Sequence, residues 1–375
     1  MHIPILPQEI IDYILDHCYS DVSTIAACGL VCRAWYPASR HHLFSAYNIS
    51  TTTAKKLLSS PSEYVRVAPF FRELELHLEV DTQWWDDFLA VLPDYVPLRT
   101  LWIFCHGIRV SETTREKLTN TFRNITYLAL IETTSLRRSL SQDVAWICSF
   151  PDLEKVYISG DHYKDMDIDP YQICLPKRVQ ELKLNTPSPA TEALMRWLLL
   201  HNRVPTVSSL LLFRVTDDNV PNLKVYLHEC RDVLKDLMLF LYQGPSNAGV
   251  FDLSQHAALQ NIYLSSNGSS SIRTLRDILS TSTGLGQMQN VLLRVSSFEL
   301  AELYDWASLD KVFSAHTAHF IEVTLVMDED GRYESELAMR LPMCARRRQL
   351  HFVNAGVHSA ASTYVEDVYS CARRF

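Results

Sequence analysis

Glycine is scarce in this chain, with 10 among 375 residues, and its 16 prolines are dispersed. No long flexible or low-complexity tract therefore interrupts it. A surplus of positive charge is missing too: 35 Lys and Arg stand against 43 Asp and Glu, a formal charge of -8. Nucleic-acid binding ordinarily needs the opposite balance, because Lys and Arg must replace phosphate counterions. The one concentrated basic run, Arg346-Arg347-Arg348, reads as a solvated face. The nine cysteines lack CxxC pairs and metal-ligand spacing, and nine is odd. Reduced thiols of a cytoplasmic or nuclear protein are expected rather than a disulfide framework. Met1-His2-Ile3-Pro4 lacks the basic and apolar regions of a signal peptide, and no apolar run reaches the roughly 18 residues that span a bilayer. Neither nucleic acid nor membrane is an expected partner.

Catalytic signatures are also absent: no Gly-rich phosphate loop, no HExxH and no GxSxG occur. Asp161, Asp165, Asp167 and Asp169 alternate as in a calcium loop, but the Gly and terminal Glu of that motif are missing, leaving a solvated loop. No catalytic residue, metal ligand or cofactor is expected, and the chain reads as a non-enzymatic binding protein.

What is present is a folded composition, 47% hydrophobic and 21% charged, in a chain long enough for two packed units or one elongated one. Near the start, Leu6-Pro7-Gln8-Glu9-Ile10-Ile11 opens a helix, with Pro7 suited to a first helical position. Ile10, Ile11, Ile14 and Leu15 draw an apolar stripe along it. Ser20 or Asp21 can cap a second helix ending close to Gly29, and Pro37 starts or kinks a third that runs toward Leu43 and Phe44. Three helices in under 45 residues cannot bury all their stripes among themselves, so leftover apolar surface is expected.

From there the template apolar-x-x-apolar-x-apolar recurs to the end. Its middle positions are 47, 74, 101, 128, 156, 182, 210, 237, 262, 291, 323 and 350, about 25 to 32 residues apart. The paired apolar residues point one way from a short strand, into a core, and the residue between them points the other way. Connectors of about 15 to 20 residues leave room for a helix, and Trp84, Trp85, Phe88 and Leu89, Leu194, Trp197 and Leu198, and Leu303, Trp306 and Phe313 supply helical stripes.

Two resemblances follow. Leu6-Pro7-Gln8-Glu9-Ile10-Ile11 and Leu30-Val31-Cys32-Arg33-Ala34-Trp35, at their mutual spacing, resemble the two best-marked segments of the F-box. The period and its strand-plus-helix unit resemble the leucine-rich repeat. Together they imply an α/β protein: a three-helix F-box over 1–45, then over 46–375 a solenoid with parallel strands on a concave face and helices on a convex one, capped from about 350 by a segment carrying Tyr364, Tyr369 and Phe375. The resemblance implies the substrate-recognition subunit of a Skp–cullin–F-box ubiquitin ligase. A Skp-type adaptor would meet Leu6, Pro7, Ile10, Ile14, Val31, Cys32 and Trp35. Through it would come cullin and RING subunits that carry out ubiquitin transfer, while the repeats would hold a protein target. The alternative is a repeat scaffold that binds partners without a ligase. The chain departs from the repeat pattern at the turn position usually held by Asn or Cys. Only Asn267 fits, while Glu79, His106, Thr133, Asp161, Pro187 and Val215 stand elsewhere, so an irregular arc is expected.

The residues facing away from the core would form the recognition surface: Trp102, Tyr157, Lys183, Leu211, Met238 and Tyr263 between the paired positions, with Phe104, Phe213 and Phe240 two residues further on. So many large apolar side chains suit a docking surface. They also suit rings stacked on one another across neighbouring strands. The patch Trp102, Phe104, Tyr157 leans toward docking.

Overall fold

The computed structural model describes residues 6–18, 21–79, 83–92, 96–107, 110–133, 138–241, 251–266, 276–278, 280, 288–295, 306–315, 322–327, 334–347 and 350–354. Asn267, Leu303, Tyr364, Tyr369 and Phe375 lie outside them. The chain is α/β and divides into two compact units, Met1–Val179 and Gln180–Phe375.

The first unit opens with three helices, α1 (Gln8–Cys18), α2 (Val22–Cys28) and α3 (Trp35–Ser45). Its strands are β1 (Ala46–Ile49), β2 (Glu73–Leu78), β3 (Thr100–Cys105), β4 (Tyr127–Glu132), β5 (Arg138–Ser139), β6 (Lys155–Ser159) and β7 (Tyr163–Lys164). β1, β2, β3, β4 and β6 pair in that order, every pair parallel, while β5 and β7 form a separate two-residue ladder. In the register Tyr47 faces Leu74, Leu74 faces Leu101, Leu101 faces Leu128, and Leu128 faces Val156. The template's middle positions are thus successive rungs. Phe71, Leu98, Ile125 and Leu153, the first apolar slots, are all buried with Leu74, Leu101, Leu128 and Val156, and Tyr47 is half-buried.

A recurrent hydrogen bond fixes the step between rungs. The carbonyl two residues before Leu74, Leu101 and Leu128 accepts two N–H groups from the next repeat: Arg72 from Arg99 and Thr100, Arg99 from Thr126 and Tyr127, Thr126 from Glu154 and Lys155. The returning segments include α4 (Thr51–Ser59), α5 (Pro61–Val67), α6 (Gln83–Val91), α7 (Glu112–Thr121) and α8 (Leu140–Cys148). Ser50, Ser111 and Ser139 cap α4, α7 and α8, each hydroxyl accepting an N–H three residues on, which satisfies a donor the helix leaves open. Trp84, Trp85 and Phe88 of α6 are buried as their spacing requires.

The second unit repeats the scheme with β8 (Glu181–Asn185), β9 (Ser209–Val215), β10 (Asp236–Leu241), β11 (Asn261–Ser266), β12 (Asn290–Val295), β13 (Glu322–Met327) and β14 (Leu350–Asn354), paired consecutively and in parallel. Leu182, Leu210, Leu237, Ile262, Val291, Val323 and Leu350 are its rungs. The same two-pronged acceptors recur at Gln180, Ser208, Lys235 and Gln260. Its described helices are α9 (Ser188–Leu199), α10 (Val220–Cys230), α11 (Trp306–Ala315), α12 (Glu334–Arg340) and α13 (Pro342–Arg346). Each unit is therefore a parallel ladder with helical returns, compatible with a solenoid-like fold.

Two local expectations need correction. Pro7 is not a helical residue: α1 begins at Gln8, and the Pro7 carbonyl accepts from the N–H groups of Ile10 and Ile11. The stretch after Asp161 is more than a solvated loop. Asp161, Asp165 and Asp167 are exposed, but Tyr163, Ile168 and Leu175 are buried, and Tyr163 and Lys164 pair with Arg138 and Ser139. Asp165 bends the chain with a positive φ of 47°, and its carbonyl accepts from Ser141.

Candidate docking surfaces

Helix α1 carries two apolar stripes. Ile11 and Leu15, four residues apart, are fully buried with Ile25 of α2, and Cys18, Cys28, Ala34, Trp35, Ala38 and Leu43 pack around them. Ile10 and Tyr13 lie on the other stripe and stay in water, 45% and 62% exposed. Asp21 caps α2: one oxygen accepts from the N–H groups of Ser23 and Thr24 at 3.1 and 3.0 Å, the other from the Thr24 hydroxyl at 2.6 Å. The Thr24 bonds first, then those of Ser23, hold this carboxyl down at about 2. His42 of α3 lies 3.1 Å from Asp16 of α1.

Of the residues the F-box resemblance assigns to an adaptor, Leu6, Pro7, Ile10, Val31 and Cys32 are exposed, whereas Ile14 and Trp35 are half-buried. Leu30, at 87%, Val22, at 68%, and Val31, at 64%, are the most open of the apolar side chains here, and Tyr36 is exposed as well. Covering one fully exposed Leu or Val is worth roughly 1.5–3 kcal/mol. Several on one small helical module make an unusual amount of uncovered apolar surface.

The second surface is the side of the first unit's sheet that faces away from its core. Here the strands bring together Asn48, Glu75, His77, Trp102, Phe104, His106 and Tyr127, and a hydrogen-bonded chain crosses them. Asn48 Nδ2 donates to Glu75 Oε2 at 2.8 Å and lies 3.0 Å from His77 Nε2. His77 Nδ1 is 3.1 Å from His106 Nε2, and His106 Nδ1 is 2.7 Å from the Thr133 hydroxyl. The His77 ring stacks on Phe104 at 4.6 Å, nearly parallel at 3°, and Trp102 meets Tyr127 edge-on at 5.0 Å. His77, whose Nε2 lies 3.8 Å from Glu75 Oε2, holds the Glu75 carboxyl below its ordinary range, and burial, with His77 nearby, pushes His106 down. His106 and Thr133 occupy the turn slot where the repeat pattern has Asn or Cys, and they bond each other. Glu79, in the same slot, accepts from Thr51 at 2.8 Å.

Trp102 and Phe104 are half-exposed, whereas Tyr157 is buried at 1%, so the patch Trp102, Phe104, Tyr157 offers two rings to solvent rather than three. In the second unit Lys183, Leu211, Phe213, Phe240 and Tyr263 are all buried, and Met238 is half-exposed. Phe240 stacks on Phe213 at 4.8 Å and meets Tyr263 at 5.1 Å. One extra residue in β9 produces a bulge there, since Leu212 faces Leu239 while Val215 faces Leu241. Here stacking across strands accounts for the rings.

Sequence reasoning missed a buried ionic cluster in the first unit. Arg138 pairs with Asp143 at 2.6 Å and with Glu132 at 3.6 Å, and Arg115 reaches Asp143 at 3.4 Å. Arg138, Asp143 and Glu132 are all buried. A signal existed: Glu132 holds the core-side slot that Leu78 and Cys105 fill in the preceding repeats. A carboxylate there demands a buried cation. Gly160 fits the same cluster closely, because a Cβ at that position would stand 2.8 Å from the Tyr163 hydroxyl and 3.0 Å from the Glu132 Cβ. A groove of about 450 Å³ between α7 and α8 is lined by Arg115, Thr119, Gln142 and Trp146. Among the described residues no three His, Cys, Asp or Glu side chains are placed to hold a metal, and no helix is long and apolar enough to cross a membrane.

No protein-family model matches the chain, and no curated protein matches it. The functional reading rests on its residues and their geometry.

Proposed function

We propose that this chain is the substrate receptor of a Skp–cullin–F-box ubiquitin ligase. The helices α1–α3 dock a Skp-type adaptor, and the repeats hold a protein target. One observation carries the reading: the helical module buries Ile11, Leu15 and Ile25 yet leaves Leu6, Ile10, Val31 and Cys32 in water, at positions where the F-box resemblance puts adaptor contacts. In that role the chain performs no bond chemistry. It raises the effective concentration of its target beside a charged ubiquitin-carrying enzyme. The half-exposed rings Trp102 and Phe104 support target binding on the first unit's sheet face.

The test is co-purification of the full chain with a recombinant Skp-type adaptor. Ile10→Asp with Val31→Asp places charge in an apolar contact, and binding should fall at least about a hundredfold. Neither side chain is in the buried cluster, so circular dichroism and melting should stay unchanged. Unaltered binding in that double variant removes the assigned face. Absence of adaptor binding in the unmodified chain leaves the repeat scaffold without a ligase as the better account.

A further inference from the structure

The sheet face of the first unit is lopsided in charge. Glu73 and Glu75 project from β2 on this side, Glu79 follows at the next position of the same parity, and β1, β2 and β3 contain no Lys or Arg. Arg72 and Arg99 precede β2 and β3 at the opposite parity, and Arg72 donates to the carbonyls of Pro69 and Phe71. The nearest strand-borne cation on this side, Lys155, lies on β6, two strands beyond β3.

One of these carboxylates is set beside a flat ring. Glu75 stands opposite Trp102 in the parallel register, and His77 opposite Phe104; strands so paired are about 4.8 Å apart. The Glu75 side chain is 44% exposed, and the Asn48 amide steadies one of its oxygens at 2.8 Å.

We propose that this face takes an arginine presented by a partner protein, its guanidinium lying against Trp102 while it pairs with Glu75. Charge complementarity selects a basic segment. Geometry selects arginine over lysine, because a planar guanidinium stacks on an indole and offers two parallel N–H groups to a carboxylate, whereas an ammonium is a strongly hydrated point charge. The proposal rests on the reading that this face receives the target, and it names the chemistry of what is received.

The probe is a labelled Gly/Ser peptide with two arginines, compared by fluorescence anisotropy with its lysine and neutral citrulline counterparts, using the full chain. Binding should saturate, weaken about tenfold in Glu75→Gln, which removes a charge-assisted bond, and weaken severalfold in Trp102→Ala. Lysine should bind less well and citrulline hardly at all. Glu112→Gln with Glu116→Gln on α7 removes two exposed charges elsewhere and should leave affinity unchanged. Trp102→Phe, which keeps a ring, should retain most of it. Equal loss in the α7 control and in Glu75→Gln overturns the proposal as bulk electrostatics, and so does no loss in Glu75→Gln. Citrulline binding as tightly as arginine overturns it too, while leaving the face as a docking surface.

Discussion

Both units place rings on the side of a parallel sheet away from the core, and the two sets differ in what surrounds them. In the first unit Trp102 and Phe104 are half-exposed among Asn48, Glu75, His77 and His106. In the second, Phe213, Phe240 and Tyr263 stand beside Leu211 and beside one another and are buried. Strand parity alone does not decide exposure, since the positions are equivalent in the repeat. Neighbour size and polarity decide it. Large apolar neighbours one strand spacing away close over a ring, while polar neighbours that bond each other leave the row open.

The largest test of that contrast is the cost of deleting a ring. Phe240→Ala opens a cavity in a packed ladder and should cost about 3–5 kcal/mol. Phe104→Ala removes a half-exposed ring and should cost about 1 kcal/mol. Urea denaturation followed by hydrogen exchange in β10 and β3 reads each unit separately. Equal costs would mean that the two faces are packed alike and that the contrast is wrong.

The first unit also keeps polarity beneath its sheet, and the next largest effect lies there. Arg138→Met leaves Asp143 and Glu132 buried without their main cation, a loss of about 3 kcal/mol. Adding Glu132→Leu, which restores the side chain the repeat has at Leu78, should recover part of it. If Arg138→Met melts like the unmodified chain, the cluster contributes nothing to holding β5 and β7.

The ladder was legible because burial of the paired apolar positions repeats every turn and does not depend on what covers the other side. Tyr47, Leu74, Leu101, Leu128 and Val156 could be read as successive rungs from spacing alone, and the second unit's rungs likewise. The outer face was less legible for the complementary reason. Whether Tyr157 or Trp102 stays wet depends on residues far away in sequence, such as Ala129 beside both, and a single strand does not display them. The missed Arg138 cluster lies between. Glu132 broke the apolar slot visibly, but its cation belongs to a two-residue strand with no periodic signal.

A smaller effect concerns the hydrogen-bonded chain that keeps the first face open. Thr133→Val removes its last member and should cost about 0.5–1 kcal/mol. It should also loosen the His106 ring, read as faster exchange at β3 amides. No change in exchange would show that the chain ends at His106.

The smallest effect is a titration, and it separates the two faces by chemistry rather than by stability alone. Burial, with His77 nearby, lowers the His106 imidazole below its ordinary 6.5, while Glu79 and Glu132 act weakly the other way. A lowered imidazole binds its proton less readily folded than unfolded. Its contribution is therefore fully present above pH 6.5 and declines as pH falls below that value. Glu75 has the carboxylate version of this behaviour, its contribution declining only below the ordinary value of 4.5. His256 of the second unit is lowered in the same direction by its own burial, so whole-chain melts between pH 7.5 and 5.5 mix the two units. Ring NMR of His106 isolates the first face. Its midpoint should lie below 6.5 and rise part-way in His77→Phe, which keeps the stack on Phe104 but removes the neighbouring charge and its hydrogen bond. A His106 midpoint at or above 6.5 would mean that the ring is solvated like a surface imidazole and that no continuous chain spans β1 to β4.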